Sequence, residues 1–63
     1  MYRLKLEFAK QLRNKYIVQE LGFSDVYVSQ LMNGKRVIPK HCAYAIAKLY
    51  DKEIKDLFEK VGD

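Results

Sequence analysis

Residues 17–34, IVQELGFSDVYVSQLMNG, constrain this fold more than any other stretch. Tyr16, Ile17, Val18 and Leu21 form an apolar stripe at helical spacing. Gly22 ends it, because glycine adopts positive φ at a helix C-terminus without the clash that a Cβ brings. Ser24 then offers an N-cap, with Asp25 in the first turn where the helix dipole favours a carboxylate. The spacing predicts a further helix over about residues 25–33, with Val28, Leu31 and Met32 facing inward and Asn33-Gly34 closing it. Two helices therefore meet at one tight turn.

The flanks read as more helix. Leu4, Phe8, Ala9 and Leu12 recur at spacings of three and four, which predicts an amphipathic first helix over residues 4–12. Arg13-Asn14-Lys15 offers a break in which Asn14 would cap the next helix; one bent helix over residues 4–21 is the alternative. After Lys35-Arg36, Val37 and Ile38 can tuck against the core, and Pro39 suits the first turn of a fourth helix. Cys42, Ala43, Ala45, Ile46, Leu49 and Tyr50 give that helix its apolar face. Asp51 would cap a fifth, with Ile54, Leu57, Phe58 and Val61 inward. No alternating run bounded by turn dipeptides signals a strand. The expectation is an all-α, compact five-helix domain.

With 63 residues there is room for one core and one surface, so residues 1–63 are read as a single domain. No uncharged stretch approaches the roughly 20 apolar residues of a membrane span. The first ten residues lack the apolar core and cleavage site of a signal peptide, which points to the cytoplasm. A single Cys offers no internal disulfide, so stability must come from helix packing and association with a second copy. Charge is unevenly spread. Residues 1–40 hold eight Lys and Arg against three carboxylates, and residues 41–63 hold four against five. The positive end is where a polyanion would be met, although Lys-rich solvated faces are also common.

A helix that reads DNA needs its inner face locked to a scaffold and an outer face that hydrogen-bonds base edges in the major groove. Val28 and Leu31 supply the lock. Ser24, Asp25, Val26, Ser29, Gln30 and Asn33 occupy the remaining arc. Gln and Asn can pair bidentately with adenine, Ser can donate or accept, and Val26 can lie against a thymine methyl. These six are the candidate base-reading residues.

Val18, Gly22, Ser24, Val28, Ser29, Leu31 and Asn33-Gly34 in this spacing resemble the helix-turn-helix of phage Cro proteins and repressors, within the lambda-repressor-like class of DNA-binding domains. Arg36-Val37-Ile38-Pro39, then Cys42, Ala43 and Ile46, then Asp56-Leu57-Phe58, are similar to the closing part of such regulators. The resemblance covers roughly residues 14–58. It implies a transcriptional regulator, a Cro-like repressor of phage or mobile-element type acting on the nucleoid of a bacterial host. It also implies phosphate contacts from Asn14 and Lys15, from Lys35 and Arg36, and from Lys40 with the backbone N–H groups around it. Tyr27 either reaches a phosphate or a thymine methyl, or shields the core beside Leu31.

Three departures stand out. Val18 occupies a position that is usually Ala, where the two helices approach closely. Asn14 or Lys15 must serve where relatives have Gln or Thr. No Arg lies on the predicted reading face, so an operator read through A·T pairs is expected, or guanine read from elsewhere. One module covers few base pairs, so a homodimer on a palindromic operator is expected, with Tyr50, Ile54, Leu57, Phe58 and Val61 as the candidate dimer contact. Covering the core is the other reading of those five.

Catalysis is poorly supported. His41 and Cys42, as neighbours on a helix, point about 100° apart and form no couple, and together they are too few for a metal site. Cys42 reads as a small core residue and His41 as a surface one. Asp51, Glu53, Asp56 and Glu59 fit a solvated last helix. No cofactor, metal or small-molecule substrate is expected. The rival is a small helical protein-interaction module such as an antitoxin or regulatory subunit, which would show apolar anchors on the outer face of residues 25–33.

Overall fold

The structure, a computed structural model, describes residues 1–62. In order come β1 (Tyr2–Leu4), a 3₁₀ helix (Leu6–Gln11), α1 (Asn14–Leu21), α2 (Asp25–Met32), α3 (Lys40–Leu49), α4 (Ile54–Leu57) and β2 (Phe58–Lys60). The molecule is mostly helical, as expected, but it is not all-α. β1 and β2 pair antiparallel, Leu4 opposite Phe58 and Arg3 opposite Glu59.

The first predicted helix is therefore corrected. Residues 2–6 also alternate in polarity, and that period of two prevails at the start: Leu4 is buried and Arg3 exposed. Tertiary pairing decides between the two patterns, because Tyr2 exchanges both backbone hydrogen bonds with Ile38, at 2.8 and 2.7 Å. β1 thus lies between β2 and the segment before α3. The following 3₁₀ turn contains no fully buried residue, and Leu6 is 64% exposed. Leu12 and Arg13 are extended, so the continuous bent helix is ruled out.

The fifth helix is corrected as well. It spans a single turn, and Phe58 leaves it in an extended conformation (φ −123°, ψ 154°) to face Leu4. Glu53, not Asp51, caps this turn: its backbone N–H donates to Asp56 Oδ2 at 3.1 Å in a reciprocal capping box. Asp51 instead takes left-handed φ (57°) and closes α3, with Lys52 N donating to Ala47 O at 2.8 Å. At α1 the cap is Arg13, not Asn14, and no side chain caps it. Pro39 stands one residue ahead of α3.

One core serves all these elements: Leu4, Leu12, Ile17, Val28, Leu31, Met32, Ile38, Ala43, Ile46, Ala47, Leu57 and Phe58. Burying each of its large side chains contributes on the order of 1.5–3 kcal/mol, the main force holding the short helices together. Among the described residues no helix is long and apolar enough to cross a membrane.

Candidate nucleic-acid interface

The α1–α2 unit is built as its sequence suggests. Gly22 ends α1 in the left-handed region (φ 75°), and its N–H donates to Val18 O at 2.9 Å. Two residues on, Ser24 Oγ accepts from Tyr27 N at 3.1 Å and starts α2. Val28 and Leu31 are buried on the inner face, with Met32 at its margin. Val18 is half-buried, so the bulk that replaces the expected Ala is accommodated at the edge of the core. Gly34 (φ 72°) then reverses the chain, its N–H donating to Leu31 O and Lys35 N to Gln30 O.

The outward arc of α2 carries the six candidate reading residues. Ser24, Asp25, Val26, Ser29 and Asn33 are exposed, and Gln30 is half-buried. Val26, Ser29, Gln30 and Asn33 follow one another at spacings of three, one and three and so share one face. Val26, at 67% exposure, is the apolar member of this surface. Ser24 has an oxygen lone pair committed to its cap, which leaves its hydroxyl as a donor.

Arg36 is the residue that the sequence reading put in the wrong company. Its Nε donates to Gln30 Oε1 at 2.8 Å, and its guanidinium stands 5.0 Å from the centre of the Tyr27 ring. The turn at Gly34 folds the chain back, so an arginine from the loop joins the side of α2. A helical projection stops at Asn33 and misses it. The Gly34 reversal so soon after the helix was the available signal.

Tyr27 is a platform rather than a free phenol. Its ring meets Phe23 edge-on, with centroids 5.2 Å apart, and carries Arg36. Burial pushes its hydroxyl up to about 12, a hydrogen bond to Cys42 adds to that, and Arg36 opposes it. The half-buried ring lies against Phe23 and under Arg36, the shielding place that is one of its two readings. Cys42 is half-buried and His41 exposed.

The remaining candidate phosphate ligands are exposed: Asn14 and Lys15 in the first turn of α1, Lys35 after α2, and Lys40 at the start of α3. The ion pairs among the described residues are Arg3 with Glu59 (3.8 Å) and Lys55 with Glu53 (3.9 Å). Lys15, Lys35, Arg36 and Lys40 therefore carry no paired carboxylate. Asp25 is the acidic exception on this face.

The candidate dimer contact is corrected in part. Leu57 and Phe58 are 1% and 2% exposed within a single chain, so they have no surface to offer. Tyr50 is half-buried, its hydroxyl accepting from Arg13 N and its ring packing on Tyr16; Ile54 and Val61 remain half-buried. A concavity lined by Tyr2, Tyr44, Lys48, Ile54, Phe58 and neighbours involves no residue of α2. No family model, curated protein or solved structure matches the chain.

Proposed function

We propose that this chain is a sequence-specific double-stranded DNA-binding transcriptional regulator, a Cro-like repressor of phage or mobile-element type with a lambda-repressor-like helix-turn-helix. The observation that carries it is the two-faced character of α2. Its inner face is fixed by Val28 and Leu31, while its outer face presents hydrogen-bonding side chains, and Lys35, Arg36 and Lys40 follow without an ion pair among the described residues. α2 would enter the major groove, and Lys35, Lys40 and the start of α3 would hold phosphates. Two copies would read a palindrome with half-sites roughly 34 Å apart.

A protein-interaction module is favoured by a different surface. Tyr44 is 55% exposed beside Leu21, Ala45 and Leu49, an apolar patch away from the α2 face. Selection of bound duplexes from a random pool, with affinity followed against salt, decides between the two. A DNA reader yields a motif and loses affinity steeply as salt rises. No motif and no salt dependence would leave the interaction module.

A further inference from the structure

Gln30 looks like a reader of adenine, but the oxygen that such a contact needs already accepts one hydrogen bond in the structure. An arginine Nε only donates, so its partner at 2.8 Å is necessarily the Gln30 amide oxygen. Bidentate pairing with adenine requires that same oxygen to accept from N6 while the amide nitrogen donates to N7. With one of its two lone pairs held by Arg36, the oxygen can accept only along the direction that its second lone pair leaves, while the NH₂ stays free to donate.

The guanidinium is in the complementary situation. Nε is occupied, whereas Nη1 and Nη2 make no hydrogen bond or ion pair among the described residues. Tyr27 backs the planar group at 5.0 Å, and Arg36 itself is exposed. The side chain is thus held on two sides with its fork turned loose, the arrangement that limits the entropy lost on binding. What Gln30 and Arg36 present together is mainly donors, the two Nη groups and the amide NH₂, beside one remaining lone pair of the amide oxygen. Guanine is the base whose major-groove edge offers two adjacent acceptors, O6 and N7; adenine offers one acceptor and one donor.

Resting on the DNA-binding reading above, we infer that Arg36 is the specificity-determining residue for a guanine in the major groove, and that Gln30 and Tyr27 are positioning residues that aim it. On this inference Arg36 is not a sequence-blind phosphate clamp, and the first role of Gln30 is to aim it rather than to read adenine. The operator half-site contains a G·C pair whose recognition depends on a side chain outside α2.

The test is duplex selection with the full chain and with Arg36→Ala, Arg36→Lys and Gln30→Ala, each checked for unchanged thermal unfolding. Wild type is expected to prefer G at one position by roughly five- to a hundred-fold over other bases. Arg36→Ala flattens that position and leaves the others. Arg36→Lys keeps the charge and most of the affinity but loses most of the preference, because a lysine has no fork. Gln30→Ala weakens preference at the same position. Replacing that guanine by 7-deazaguanine lowers affinity for wild type and not for Arg36→Ala. If Arg36→Ala weakens all sequences alike with the motif intact, or Gln30→Ala alters a different position, the inference is overturned while DNA binding stands. A wild-type chain that selects no motif overturns both.

Discussion

The backbone N–H of Arg13 donates to the hydroxyl of Tyr50 at 2.8 Å, which ties the start of α1 to the end of α3. This bond satisfies the N–H of the cap residue itself, the group that an N3 side chain serves in a capping box, in a helix with no side-chain cap. Tyr50→Phe keeps the ring on Tyr16 and removes only the acceptor. It should cost about 1 kcal/mol, lowering the thermal midpoint by roughly 4–8 °C for a domain of this size. An unchanged midpoint would mean that water serves Arg13 equally well.

Leu4 and Leu6 separate the strand from the helix that their spacing first suggests. Leu4 is buried opposite Phe58, and Leu6 is mostly exposed. Leu4→Ala should destabilise by about 2–5 kcal/mol, and Leu6→Ala by less than about 1 kcal/mol. Denaturant unfolding of both variants checks this; similar losses would contradict the alternation.

Gly22 and Gly34 both hold left-handed backbone, but a side chain would meet different surroundings at each. At Gly22 a Cβ enters open space, and at Gly34 it would lie 3.1 Å from Leu6 Cδ2. Ala at either position should cost roughly 1–2 kcal/mol through φ alone. Gly34→Ala must also push Leu6 aside and so should be the more costly, with Gly34→Asn milder than Gly34→Ala. Since Gly34 also sets where Arg36 lands, its alanine variant should lose base preference alongside stability.

Tyr27 should be a late-titrating tyrosine. With its hydroxyl pushed up to about 12 in the fold and near 10 in an unfolded chain, the folded state holds the proton longer. Its stabilising contribution is complete below about pH 10 and is lost as pH rises toward 12. Ultraviolet titration should show a late tyrosinate phase that Tyr27→Phe removes. Across the same interval the variant should lose less stability than wild type.

The middle of the chain was legible because its signals are local. Gly22, Ser24 and the Asn33-Gly34 pair act within a few residues, and Val28, Leu31 and Ile46 follow a helical period that burial upholds. Both ends were misread for one reason. Leu4 and Phe58 each suit a helical stripe taken alone, and only their encounter across the sheet makes them strands. Arg36 is the same lesson at the candidate site: its partners lie six and nine residues back, across a turn that no helical projection includes. Asn14 and Asp51 were plausible caps by residue type, but Arg13, its N–H held by Tyr50, and Glu53 occupy the cap positions, which the local pattern did not single out.

The threading of β1 between Ile38 and β2 sets an order of events during synthesis. Tyr2 is made before α2, yet it meets Ile38 only once α2 has followed, and its other neighbour is Lys60. Leu4 likewise waits for Phe58, so the nascent chain carries an unpaired apolar strand for most of its elongation. The α1–α2 unit forms from contacts close in sequence and can be in place well before this seam closes. A chain halted before Phe58 would display the outer face of α2 on a core still open to water.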